Sequence, residues 1–176
     1  MFDLDFWLLD KIFEPFAKKF QILFGKNCFF LARIFYFLAS INCMLFVYIA
    51  FFVSKTRQEH YFMNTFWLLY SISMLLRSLK MAEREEYSPE SSEESMNPER
   101  LLLRFDRLSN GVIIIIFSFG IIADNGLEQA IIFLSIIFEQ IALYFRSCTP
   151  LPPCKGKAWE TLKGLLGTLK PASINT

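Results

Sequence analysis

The sequence predicts an all-α integral membrane protein with two transmembrane helical hairpins, the second short and able to re-enter instead of cross, and an interfacial amphipathic helix at each terminus. Three observations carry that prediction. Four apolar runs, Ile34 to Val53, Phe62 to Leu79, Gly111 to Ala123 and Leu127 to Phe145, are nearly free of charge. If all four lie in the membrane, Lys55 and Arg57 alone of the eighteen lysines and arginines fall on one side, and the other sixteen share the opposite compartment. That is the bias of cytoplasmic loops, so both termini are expected inside. Finally, the chain ends place apolar residues at helical spacing among charged ones, the pattern of helices lying in a membrane surface.

Composition agrees. Hydrophobic residues make up 54% of 176 and aromatics 17%, with 21 phenylalanines, while the 20% charged residues gather in flanks and loops. A net charge of +1 spread over three juxtamembrane regions gives no basic stripe, and nucleic acid is not expected as a partner. Met-Phe-Asp-Leu-Asp places acids where a signal peptide needs a basic region, so insertion is expected to be driven by the first span. A multi-pass protein of a bacterial inner membrane fits best, with an organellar membrane second.

Residues 1–26 form the first segment. Leu4, Trp7, Leu8, Ile12, Phe16, Phe20 and Leu23 recur at helical spacing, with Asp3, Asp10, Glu14, Lys18 and Lys19 between them. A helix in the headgroup plane and a helix packed on a partner protein explain this equally well. Residues 34–79 hold the first hairpin. Ile34 to Val53 is framed by Arg33 and Lys55, and twenty residues at 1.5 Å each match a hydrocarbon core of roughly 30 Å. Phe62 to Leu79 is more polar, but Arg77 lies close enough to its inner end to snorkel. Residues 80–100 are expected to be an acidic disordered loop, because Glu83 to Arg100 holds seven glutamates with serines and prolines and no apolar face.

Residues 101–145 hold the second hairpin. Gly111 to Ala123 has only thirteen residues, about 20 Å of helix, and Asp124-Asn125-Gly126 is a strong turn signal before Leu127 to Phe145. A crossing that thins the bilayer and a re-entrant dip both return the chain to the same side. Residues 146–176 are a Pro-rich juxtamembrane segment and an amphipathic helix with the stripe Trp159, Leu162, Leu165, Leu166 and Leu169, weakened by Gly164 and Gly167.

Helical wheels at 100° per residue place Tyr36, Ala39, Ser40, Cys43, Val47, Ala50 and Ser54 on one face of the first span. Asn64, Ser71 and Ser78 repeat every seven residues on the second. Glu128, Ser135, Glu139, Ala142 and Arg146 share a face of the fourth. A compact bundle with these small or polar seams inward follows, because small faces let backbones approach closely.

The candidate polar site within the membrane is Glu139, Ser135, Arg77, Asn64 and Ser71. Glu139 lies three residues from the middle of its span, where a carboxylate must be paired, protonated or in water. It reads as a proton or cation relay or, with about twice the weight, as a packing carboxyl neutral or paired with arginine. Arg77 is within reach across the bundle, although its wheel position opposite the Asn64 seam speaks against the pairing. A second candidate set, Arg100, Arg104 and Arg107 at i, i+4, i+7, suits anionic lipid headgroups at about 1 kcal/mol per basic residue. Its bland alternative is an anchor for the third helix.

Catalytic constellations are missing from the sequence. His60 is the only histidine, and no phosphate-binding glycine loop or zinc-protease motif occurs. Of Cys28, Cys43, Cys148 and Cys154, the juxtamembrane Cys28 and Cys148 are acylation candidates, with ordinary free thiols the heavier alternative. The leading functional expectation is a non-enzymatic accessory or scaffolding subunit of a membrane assembly, in contact with lipids and with other subunits or copies of itself, using no cofactor. A small oligomeric ion, proton or solute transporter or channel is the second, and a membrane-remodelling or permeabilising protein the third.

Overall fold

A computed structural model describes residues 3–53, 61–85, 99–123, 126–150 and Gly156, and among these the chain is helical throughout. The elements are α1 (Asp3–Leu8), a π turn (Leu9–Phe13), α2 (Glu14–Phe24), α3 (Cys28–Tyr48) continued by a second π turn (Ile49–Val53), α4 (Tyr61–Glu85), α5 (Glu99–Leu102), α6 (Arg104–Ala123) and α7 (Leu127–Ser147). The stretches Cys28–Phe52 and Gln129–Ser147 are long and apolar enough to cross a bilayer. His60, most of the acidic loop (86–98), the Asp124-Asn125 turn, Cys154 and the C-terminal amphipathic stripe lie outside the described residues.

Local chemistry sets the helix ends. Pro15 follows just after the π turn, inside a helix whose backbone stays right-handed through Phe13. Gly25 closes that helix at φ 72°, a left-handed conformation that suits glycine, and its N–H donates to the Gln21 carbonyl at 2.8 Å. Asn27 then caps α3 by accepting from the Phe30 N–H at 3.2 Å. At the far end of the chain Cys148 is extended, and Pro150 shortly after it cannot continue α7. A Cβ at Gly156 would stand 2.4 Å from the Phe24 carbonyl carbon, so only glycine fits at that position against the end of α2.

The π turn in the N-terminal helix has a packing reason. Its inward stripe is Asp5, Leu9, Phe13, Ala17 and Gln21, one residue in every four. At 100° per residue such a stripe drifts by roughly 40° at each step, roughly 160° over the whole helix. One π turn takes up an extra residue and cancels about 100° of that drift, which keeps the stripe on one face.

α3 packs antiparallel to α4 on one side and to α7 on another. The α3–α4 register is regular: Asn27 meets Glu85, Arg33 meets Ser78, Ser40 meets Ser71 and Cys43 meets Trp67. This joins the small-residue face of the first span to the Asn64, Ser71, Ser78 repeat of the second. Two apolar clusters fill the interior. One gathers Leu9, Cys28, Tyr36, Met74, Met81 and Leu143, and the other Phe46, Val47, Ala50, Ile131, Ile132 and Ile136. Phe13 stacks on Tyr144 with centroids 4.4 Å apart and meets Phe145 edge-on at 5.3 Å, which fastens the N-terminal helix to the end of α7.

Two boundaries differ from the sequence reading. The third helix starts at Arg104 instead of Gly111 and has 20 residues, because Arg104–Asn110 continues it with one flank turned toward the N-terminal helix. The stretch 80–100 is not uniformly a loop. α4 runs on to Glu85, where that carboxylate receives Lys26 and Arg33, and Glu99–Leu102 is the short helix α5.

Candidate functional site

Two buried ionic constellations hold the helices together. In the first, Arg77 Nη1 on α4 donates to Glu139 Oε1 on α7 at 2.9 Å, and the Tyr70 hydroxyl, two turns earlier on α4, donates to Glu139 Oε2. The Glu139 side chain is 7% exposed while that of Arg77 is 39% exposed, so the guanidinium reaches inward from the surface to neutralise a carboxylate that could not stay charged alone. Beside this pair is a cavity of about 320 Å³ between Phe66, Trp67 and Tyr70 of α4, Asn110 and Ile113 of α6, and Glu139.

The other polar residues expected at this site go elsewhere. Ser71 and Ser40 donate to each other's carbonyl oxygens at 3.0 Å, their hydroxyls 3.2 Å apart, on the α3–α4 seam. Asn64 is buried on α4, the helix that carries this seam. Ser135 is also buried, but its hydroxyl donates back to the Ile131 carbonyl of its own helix at 3.0 Å. The structure therefore brings Arg77 to Glu139, adds Tyr70, places Ser71 on the α3–α4 seam, and leaves Asn64 and Ser135 buried on their own helices.

The second constellation is centred on Arg107 of α6, whose side chain is 0% exposed. Its Nε and Nη2 donate to Asp5 Oδ1 and Oδ2 at 2.9 and 2.7 Å, a bidentate pair, and Nη1 donates to the Ser147 hydroxyl at 2.6 Å. Nη2 also reaches the Arg100 carbonyl at 3.2 Å, and the guanidinium lies 5.5 Å from the Tyr144 ring centroid. One turn N-terminal to α6, Arg100 pairs with Asp10 and stands 3.6 Å from Glu14 Oε2. Phe6 lies under both Arg100 and Arg104, at 5.6 and 4.9 Å.

The three arginines proposed for lipid headgroups thus turn toward the N-terminal helix. Charge complementarity explains it: the helix offers Asp5, buried, and Asp10 and Glu14 nearer its surface, and a fixed carboxylate gives arginine the bidentate partner it suits best. Asp5 escaped the sequence reading altogether. The only signal for it was an acid with no basic residue three or four positions away on its own helix.

Electrostatics follows the geometry. Burial is the largest influence on the Asp5 carboxyl and pushes its pKa up, but the Arg107 guanidinium, the Tyr144 hydroxyl and Arg104 together outweigh it and hold the group below the usual carboxylate range. Cys148 is buried, and burial, reinforced by Cys28 and Glu14, raises its thiol above the ordinary range. Cys28 is buried as well and its Sγ lies 3.5 Å from the Cys148 carbonyl, so neither thiol is presented for acylation. Among the described residues no group of His, Cys, Asp and Glu is arranged to hold a metal ion.

No protein-family model, curated protein or solved structure matches the chain.

Proposed function

We propose that this chain is a non-enzymatic scaffolding or accessory subunit of a membrane assembly, with four helices in the bilayer, α4 and α6 joining the two most apolar ones, and both termini in the cytoplasm. The observation that carries the reading is the orientation of the N-terminal helix. It turns Asp5 inward, 4% exposed, and Leu4 and Trp7 outward, 65% and 51% exposed, with Ile12, Phe16 and Leu23 following them. In water that arrangement is upside down, because the apolar stripe would lie unburied; against lipid or a partner subunit it is the expected one.

Other features support the same reading. The buried ionisable groups of both constellations are consumed in locking helices together, and large apolar side chains from Ile34 on α3 to Ile116 on α6 face outward. A chain that spends its polar chemistry on its own assembly and presents apolar surface suits a structural component. The test is extraction of the tagged chain from its native membrane in mild detergent, followed by native mass spectrometry. A stoichiometric complex with a different membrane protein is the expected result. A chain that washes off membranes in alkaline carbonate, or a monomer or closed homo-oligomer alone, would overturn it.

A further inference from the structure

We propose that the groove between α3 and α4 at their cytoplasmic end is a binding site for one anionic glycerophospholipid, its phosphate on Arg33 and an acyl chain along Phe37 and Leu75. This rests on the membrane reading above and adds a ligand to it. The groove has a volume of about 340 Å³, within the range of ligand clefts, which runs from roughly 300 Å³ upward. Phe30, Arg33, Ser78 and Leu79 stand at the end where the apolar runs stop, with Arg33 the one charged residue among them, whereas Ile34, Phe37 and Leu75 lie progressively deeper. A cationic mouth over an apolar trough matches a lipid with a charged head and a hydrocarbon tail.

The charge at the mouth favours an anion. Glu85 is the carboxylate there, and it faces two cations, Lys26 Nζ at 2.6 Å and Arg33 Nη1 at 3.4 Å. One positive charge is left over in this cluster, while the exposed Lys80 and Glu83 of α4 offset each other. Among the described residues Arg33 is held by that one long contact, and its side chain is 44% exposed, so most of its donors are open to a phosphate. Its backbone, by contrast, is fixed, since the Arg33 carbonyl accepts from the Ser78 hydroxyl at 3.2 Å inside the seam. The arginines of α5 and α6 are a poorer site, because Arg107 and Arg100 are already held by Asp5, Asp10 and Glu14.

The test compares retention of phosphatidylglycerol and phosphatidylcholine with identical chains by the full-length, delipidated protein, read by native mass spectrometry. Phosphatidylglycerol should be preferred roughly fivefold, the factor equivalent to about 1 kcal/mol for one basic residue. Arg33→Gln should bring the ratio close to one, and Arg33→Lys should keep most of it. Leu75→Trp, which fills the trough and leaves every charge in place, should abolish the preference too. Equal retention of the two lipids by the wild type overturns the proposal, as does a preference that survives both Arg33→Gln and Leu75→Trp. Inorganic phosphate competing as well as the lipid does would show an anion site with no role for the chain. A protein that alkaline carbonate strips from the membrane defeats the membrane reading itself, whereas equal retention by an integral protein defeats only this site.

Discussion

Arg107 and Asp5 illustrate why a buried charge is harder to remove than to replace. Arg107→Ala leaves the Asp5 carboxylate buried without its bidentate partner, and Ser147 without its donor. The expected loss is about 3–5 kcal/mol, read as a shift in a reversible unfolding titration in mixed micelles. Replacing both residues by leucine removes the two charges together and should recover most of that loss. A double variant as unstable as the single one would mean the pair does more than neutralise itself. Glu139 answers a different question. Glu139→Gln keeps a hydrogen-bonding group for Tyr70 and Arg77, and Arg77 is exposed enough to turn outward, so the cost should be near the average of about 0.6 kcal/mol for such bonds. Glu139→Leu strands both donors and should cost severalfold more in the same titration. Equal stability of the two variants, or a proton or ion flux in proteoliposomes that the Gln form alone loses, would make Glu139 a transport residue instead of a lock. That Arg77 meets Glu139 was only half legible from the sequence. The wheel places Arg77 off the Asn64 seam, and α4 and α7 both flank α3, so the pair is closed by the reach of two long side chains, which no single-helix wheel reveals.

Elements show where sequence periodicity is sufficient. The seven-residue repeat of Asn64, Ser71 and Ser78 and the small face of α3 are each expected to turn inward, and the structure sets Ser40 of one against Ser71 of the other, where small residues let the helices approach closely. The destination of Arg100, Arg104 and Arg107 was not legible for a physical reason: a phosphate and a carboxylate satisfy the same guanidinium fork, and the deciding carboxylate is 102 positions from Arg107. The N-terminal helix is consequently an element docked by ionic contacts on one flank and apolar contacts around Phe13. Its docking should depend on acidity. The Asp5 pKa is lower in the folded chain than in the unfolded one, so its contribution is fully present above about pH 4 and is lost as the pH falls below that. Amide hydrogen exchange in residues 3–24, corrected for intrinsic rates, should therefore rise at about pH 3 relative to about pH 7, while α3 stays protected. Asp5→Asn should show the raised exchange at both. Protection of 3–24 that is unchanged by acid would leave the stacking of Phe13 on Tyr144 as the dominant contact.

At the scale of the whole molecule the charge distribution of the sequence and the geometry of the helices make one joint statement about sidedness. α3 and α4 are antiparallel, and the end they share with Lys26, Arg33, Arg77 and Lys80 also carries the start of α6 and the end of α7 with Arg104, Arg107 and Arg146. The basic residues at that end are thus brought together by packing, not only by counting loops. In the sequence, the connection between α3 and α4 carries only Lys55 and Arg57 as basic residues. Insertion machinery leaves Lys- and Arg-rich ends in the cytoplasm, so both termini and the segment around Ser92 should be inside, and His60 outside. A single cysteine at position 60 in a background lacking native cysteines should react with an impermeant maleimide in intact cells or sealed vesicles of native orientation, and one at position 92 should react only after permeabilisation. Labelling of 92 and protection of 60 would invert the molecule and place the Arg33 groove in the outer leaflet. Labelling of both without permeabilisation would mean that α3 and α4 do not form a spanning hairpin at all. Position 125 probes the second hairpin independently: reaction from outside there requires α6 and α7 to cross completely, whereas protection from both sides is the signature of a re-entrant pair.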